Sequence, residues 1–381
     1  MVFFLRFFTY LLRMKLLKRI FGTALLLLFA LVVGALIWAR CAVFNPAPTM
    51  PATLVSSPQT PVLHAGQTLK IMSWNVQFMA GKGRTFFFDL PGSKGPDERP
   101  TRAEIEHALP EVARVIREEN PDVVMFQELD DGAARTDKDD QLARLLALLP
   151  KEYSEQASTF YWKMSYVPHP KIHGAVGLKL GIISKYKIAS AQRIALPQAQ
   201  HPPIVDWFQF KRCLLETHFP IDSGGELVIM NTHLEAMIQN SDLKHREVMF
   251  LDSLFTAKDS LHEPWIQGGD FNLLAPGMYA RTPKEEQVWF NPAYDLGPLY
   301  SKYLSLPTLG MLMGPDSLLA RTHYPNRPDS KGLDKTIDYF FRAQSVVLDT
   351  FFVRQFDTQK ISDHAPIVMK VNIPNKNNCG C

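Results

Sequence analysis

Four cysteines in 381 residues exclude a disulfide-framed scaffold, and no Asn-x-Ser/Thr sequon occurs anywhere in the chain. The missing sequon points to a bacterial envelope rather than a eukaryotic lumen. Cys213 sits in the strand-like run FKRCLLETHF and reads as a small core residue. Cys379-Gly-Cys381 reads as a frayed end, with a metal- or redox-active tail as the alternative. Charge of one sign is absent in two places. The first 40 residues hold six of the 41 basic residues and none of the 38 acidic ones, so the rest of the chain carries about −3 against +3 overall. That excludes a nucleic-acid binder by bulk charge, though not a local basic patch. Internal repeats are also lacking.

Ile20 to Ala39 carries no charge at all, and Lys18-Arg19 and Arg40 bound it. Its length matches the hydrocarbon core of a bilayer, and it shows no polar face. Five basic residues precede it and one follows, which predicts a cytoplasmic N-terminus and an extracytoplasmic remainder. A cleaved signal peptide is the rival reading, but Trp38 and Arg40 crowd the exit where small residues belong. Residues 1–19 read as a basic cytoplasmic segment at the interface, and 20–39 as a single transmembrane anchor. Residues 40–66 are rich in proline and small polar residues. They read as an extended spacer with a reach of about 60–80 Å.

The globular part spans 67–372, followed by a tail at 373–381. It opens with TLKIMSWNVQF, an alternating strand pattern. A loop rich in glycine, lysine and aromatics then leads to Thr101 and Glu104, a capping box before a helix whose Ile105, Ala108, Leu109, Val112, Val115 and Ile116 share one face. Pro121 ends it, and DVVMFQEL reads as a buried strand. Further strands are GLKLGIIS, RCLLETHF, ELVIMNTHL, PWIQGGDF, TIDYFF and HAPIVMKV, with helices over 139–149 and 241–256. Asp222-Ser-Gly-Gly225 marks a hairpin turn. Interleaved strands and helices with a hairpin predict an α/β (α+β) fold, a mixed sheet covered by helices.

Six short motifs place polar groups at or just after these strands: Asn75 in SWNVQ, Glu128 in MFQEL, His233 in NTHLE, Asp270 and Asn272 in GGDFN, Asp338 in TIDYF, and Asp363 and His364 in ISDHAP. Each alone has a structural explanation, as a turn, a satisfied core histidine or a solvated acid. Together, in this order, they predict an enzyme whose strands deliver a reaction centre.

The set resembles the endonuclease/exonuclease/phosphatase superfamily, which includes secreted DNases, abasic-site endonucleases, inositol-phosphate 5-phosphatases and neutral sphingomyelinases. The resemblance covers about 67–372, and GLKLGIISKYKIAS, Lys211-Arg212 and His245-Arg246 agree with it. It implies one domain, a four-layer sandwich of two mixed sheets flanked by helices, and hydrolysis of a phosphate ester with Mg²⁺, or Mn²⁺ in its place. It further implies Glu128 and Asn75 as metal ligands with Asp363 completing or supporting the site. Asp338 would orient His364, Asp270 would position or deprotonate water, and His233 and Asn272 would donate hydrogen bonds to the phosphate. Hard oxygen donors suit these ions, and no cysteine or histidine cluster is spaced for zinc. Whether His364 or Asp270 is the base stays open.

GDFNLLAPG and ISDHAPI lack the longer signatures of the inositol-phosphate branch, and YKIASAQRIALP offers Arg193 where the abasic-site enzymes carry a tyrosine. The expected substrate is a lipid head group at the outer membrane face or, alternatively, a nucleic acid. TFFFDL and FYWKMSYVPHP serve the first as interfacial aromatics, unless they simply fill the core. Lys82, Arg84, Lys94 and Arg99 serve the second. A non-catalytic binding module on the same fold is disfavoured because no expected catalytic position is missing.

Overall fold

Where apolar and polar residues alternate, a strand can present one face to each side. The computed structural model describes residues 2–236 and 241–374, so Cys379 and Cys381 lie outside the described residues. Its strands are β1 (Thr49–Pro51), β2 (Thr53–Val55), β3 (Thr68–Asn75), β4 (Val123–Asp130), β5 (Glu155–Val167), β6 (Gly174–Ser184), β7 (Ser190–Ala195), β8 (Cys213–Pro220), β9 (Glu226–His233), β10 (Trp265–Asp270), β11 (Leu304–Leu306), β12 (Asp338–Arg342), β13 (Val347–Val353) and β14 (Ile367–Asn372). The helices used below are α1 (Val2–Ala42), α2 (Arg102–Glu119), α3 (Gln141–Leu146), α4 (Pro203–Asp206) and α5 (Leu243–Ser260).

Seven strands form one sheet in the order β1-β7-β8-β9-β10-β12-β11, and seven form the other as β13-β14-β3-β4-β6-β5-β2. Both are mixed, since β9 runs parallel to β10 and β3 parallel to β4 while their neighbours are antiparallel. The inner faces meet through Ile71, Met125, Ile182 and Met369 on one side and Leu215, Ile229 and Phe340 on the other. Outside the second sheet, Ile105, Leu109, Val112 and Ile116 of α2 bury Met72, Trp74 and Phe126. Outside the first, Phe255 of α5 stacks on Trp265 at 4.3 Å. The two mixed sheets flanked by helices are as expected. The capping box is also present, with Glu104 N donating to Thr101 Oγ1, and Asn120 closes α2 in the left-handed region. The helix expected over 139–149 is shorter, at Gln141–Leu146.

Residues 2–19 and 20–39 lie in one continuous helix, α1, about 60 Å long at 1.5 Å per residue. The part from Arg6 to Ala42 is long and apolar enough to cross a membrane, with mean hydropathy 2.8 in its best 18-residue window and none of that window buried. Residues 40–66 are not a free spacer. Helix α1 runs through Ala42, β1 pairs with β7 at the edge of one sheet, and β2 pairs with β5 at the edge of the other. Leu63 is fully buried, and its N–H donates to Pro220 O. An extended proline-bearing segment is suited to this, because an edge strand needs N–H groups on one side only.

Candidate active site

The C-terminal ends of parallel strands emerge at one edge of a sheet, and the first residues of antiparallel neighbours meet them there. In the first sheet this brings His233, Asp270 and Asp338 into one register row, His233 opposite Asp270 and Asp270 opposite Asp338. All three lie on the inner face, in phase with Asn231, Gly268 and Phe340. Asn75 ends β3 on the facing sheet, and His364 precedes β14 there. Two carboxylates directly opposite one another repel, so their neighbours must compensate.

Gly269 makes the row possible. Its φ is +144°, and a Cβ there would lie 2.1 Å from Thr232 O, so only glycine lets β10 run this close to β9 before Asp270. Glu128 arrives by a different device. Met125 and Gln127 face inward on β4, so simple alternation would turn Glu128 outward toward α2. The pairing of β4 with β6 slips between Phe126 and Leu129, and Glu128 adopts φ 59°. This bulge re-aims its carboxylate into the site. A non-glycine residue held there stores about 1–3 kcal/mol.

Asn75 holds the two halves together: its Nδ2 donates to Glu128 Oε1 and to Asp270 Oδ2, both at 3.0 Å, and its Oδ1 accepts from Gln77 N. Asp270 also accepts from Asn272 N at 2.9 Å, while the Asn272 amide itself donates to Leu234 O at 3.2 Å. His364 Nδ1 lies 2.8 Å from Asp338 Oδ2, and Asp270 Oδ2 lies 3.6 Å from Nε2 of both His364 and His233. Thr322 Oγ1 accepts from the N–H groups of Ile337 and Asp338, and Trp74 Nε1 donates to His364 O. These contacts lock the rotamers of the pair. Asp363 accepts from Asn326 Nδ2 at 3.3 Å, and its N–H donates to Gln77 Oε1.

Burial by itself would lower the pKa of His364, but the charges of Asp338 and Asp270 outweigh it and raise the imidazole to about 10. Burial and the neighbouring Asp338 push Asp270 up to about 7. His233 moves the other way, well below its usual range, through burial and the nearby Arg212 and His364. It is therefore neutral. Its Nε2 faces two carboxylates, Asp270 and Glu128, so that nitrogen carries the proton and Nδ1 accepts from Tyr161 O–H at 3.2 Å.

Burial and Asp363 raise Glu128. A half-buried carboxylate beside a second one, with Asn75 as its hydrogen-bond donor, is the setting a cation relieves. Asn75 Oδ1 retains a lone pair, and hard oxygens from few residues suit Mg²⁺ or Mn²⁺, so the residues fit the expected ion. Among the described residues, two compact donor groups also occur, Asp270–Asp338–His364 and His323–Asp363–His364, each with donor atoms within 4.8 Å. The first is the hydrogen-bonded pair already described. Glu128 belongs to neither.

The site floors a cleft of about 920 Å³. Several titratable residues in or beside it were not picked out from the sequence. Asp89 is raised to about 8 by burial and by Asp363. Lys244 is buried on α5, donates to Asn272 O at 3.1 Å, and is lowered to about 8 by burial. Glu247 of α5, fully buried nearby, rises to about 8 through burial and Glu235. Arg212 lies over the Tyr161 and Phe210 rings at 5.3 and 4.6 Å behind His233. Lys244 and Glu247, three apart and on the buried side, were the signal for a polar wall.

The sequence that builds this arrangement matches the Endonuclease/Exonuclease/phosphatase family over residues 72–364. The chain belongs to that family. Among solved structures, it is similar to an endonuclease/exonuclease/phosphatase from Beutenbergia cavernae DSM 12333 at 21% identity and TM-score 0.50, covering 81% of this chain and 72% of the other. ANGEL2, a 2',3'-cyclic phosphatase, is similar at 14% identity and TM-score 0.50, with 85% and 98% covered. At these identities the likeness establishes the fold alone. No curated protein matches the chain by sequence.

Proposed function

We propose that this member of the family is a divalent-metal-dependent phosphoesterase that hydrolyses the phosphate ester of a lipid head group. The observation that carries the hydrolase reading is Asp270, buried in register between His233 and Asp338 and 3.6 Å from two imidazole nitrogens. A Mg²⁺ or Mn²⁺ ion held by Glu128 and Asp363, with Asn75 beside them, would neutralise phosphate oxygens and the leaving oxygen.

The chain's own groups divide the remaining work. His364, kept protonated beside Asp338, donates from Nε2 and stabilises charge on the phosphoryl group. Because His364 already holds its proton, Asp270 is the base: it orients the attacking water and takes its proton. Neutral His233 donates from Nε2, and Tyr161 fixes its ring. Asn272 holds Asp270 through its backbone N–H, and its side-chain amide faces the cleft's edge beside Leu234.

The cleft favours lipid over nucleic acid. Trp162, Val167, Ile172, Val176, Phe208 and Phe210 make an apolar wall. Three of the four basic loop residues that would serve DNA or RNA are paired within the chain: Arg84 with Asp97 and Glu104, Arg99 with Asp137 at the surface, and Lys82 with Asn326 and Pro325 O. The deciding experiment compares the full chain with His364→Ala on phospholipid vesicles, on bis-p-nitrophenyl phosphate and on supercoiled DNA, each with Mg²⁺. Lipid turnover lost in the variant supports the reading. DNA nicking without lipid turnover makes the chain a tethered nuclease, and inactivity on all three removes the hydrolase reading.

A further inference from the structure

The last turn of α1 is docked on the domain. Ala39 is buried in a cluster with Met164, Val167 and Val176 of the β5–β6 hairpin, against which Ala42, Trp162, Ile172, Trp207 and Phe208 pack. Phe44 then meets Phe160 edge-on at 6.4 Å with the Arg193 guanidinium 5.9 Å from its ring, and Arg193 also donates to Ala47 O. Only residues 43–48 separate the helix from β1. The domain is thus seated on the end of its helix, and its orientation to that helix is set.

The same cluster forms one wall of the cleft: Trp162, Val167, Ile172, Val176 and Phe208 belong to both. Beside it, Ile204 and Val205 on α4 line the cleft while remaining 51% and 44% exposed. Exposed apolar side chains at the rim of an apolar cleft, next to the exit of an apolar helix, are one continuous surface. The hairpin tip adds Lys171 between His169 and His173 at the same rim, side chains suited to contact lipid phosphates.

We propose that α4 and the β5–β6 hairpin rest on the lipid surface from which α1 emerges, so that the cleft opens onto the head-group layer of the membrane that anchors the chain. This rests on the phosphoesterase reading for its substrate and on α1 lying in a bilayer for its geometry. It replaces a leash with a fixed seat: the domain meets lipid of its own membrane, through one face only. Ile204 and Val205 enter the interface, Lys171 meets phosphates, and a head group reaches Asp270 and His364 along the apolar wall.

The test reads contact directly. The full chain carrying Cys41→Ser, Cys379→Ser and Cys381→Ser is given one environment-sensitive fluorophore, at Ile204→Cys, Val205→Cys or Ser223→Cys. It is then reconstituted in phosphatidylcholine–phosphatidylglycerol vesicles containing nitroxide-labelled lipid. Ser223 lies in the β8–β9 turn, at the end of those strands away from His233. Blue-shifted, quenched emission at 204 and 205 with no quenching at 223 supports the proposal. Water-like emission at 204 and 205, or equal quenching at all three, overturns it. A flexible Gly-Ser insertion between Asn45 and Pro46 should return the 204 signal to its water-like value; unchanged quenching would show that the docked helix end does not hold this face down. Because the readout is independent of turnover, quenching in a chain that hydrolyses nothing would keep the membrane seat and discard the phosphoesterase, and the converse is equally distinguishable.

Discussion

Replacing Asp338 by asparagine removes one negative charge beside His364, where both side chains are almost fully buried, and leaves an amide oxygen able to accept from Nδ1. In the intact site the imidazole rises to about 10, against burial, through Asp338 and Asp270. Moving from about 6.5 in the unfolded chain to that value corresponds to roughly 5 kcal/mol, at about 1.4 kcal/mol per unit. Two carboxylates divide it, so Asp338→Asn should destabilise the fold by about 2–3 kcal/mol, as expected for one charge-assisted bond. The sign follows from linkage. A raised imidazole contributes its full stability below about 6.5 and loses it as pH climbs through about 10. The gap between wild type and variant should therefore be widest at and below neutrality and close toward pH about 10. Thermal unfolding of the detergent-solubilised full chain, followed by near-ultraviolet circular dichroism across that range, measures it. A variant as stable as wild type near neutrality, or a gap that persists at high pH, refutes the pairing. Turnover gives a second check: because Asp338 acts through His364, Asp338→Asn combined with His364→Ala should lose no more than His364→Ala alone.

Excess EDTA should abolish turnover and Mg²⁺ or Mn²⁺ restore it; full activity in EDTA would falsify the metal reading. His364→Ala and Asp270→Ala should each lower kcat about 10²–10⁴-fold with the circular dichroism spectrum unchanged. Glu128→Gln should abolish activity yet stabilise the chain in EDTA by about 1 kcal/mol, since it removes a half-buried charge beside Asp363; a lower melting temperature would count against the metal role. Protease added outside intact cells or spheroplasts should digest the domain, and digestion only after lysis would reverse the orientation.

The chemistry-bearing motifs were legible because each is local. Strand alternation, the Thr101–Glu104 box and the hairpin turn at 222–225 depend on neighbours a few residues away, and they place the ends of β3, β4, β9 and β10 correctly. The apolar run from Ile20 to Ala39 was equally plain, although its helix extends back to Val2. What composition suggested for 40–66 failed for a physical reason. Proline-rich extended chain looks the same in sequence whether it is free in water or laid along two sheet edges, and only β5 and β7 decide which.

The sequence alone therefore determined which candidate site residues stand at the strand ends and in what order along the chain, together with the apolar character of the N-terminal helix. Tertiary structure decided how those residues are arranged. The register row of His233, Asp270 and Asp338 depends on pairings between strands far apart in the chain. The turn of Glu128 into the site depends on a slip against β6 that no window around MFQEL contains. The opposite shifts of His364 and His233, two buried histidines, arise because one faces Asp338 and the other lies near Arg212. Burial and charge proximity are properties of the folded arrangement, and they turn a set of polar residues scattered along the chain into one buried cluster of interacting titratable groups.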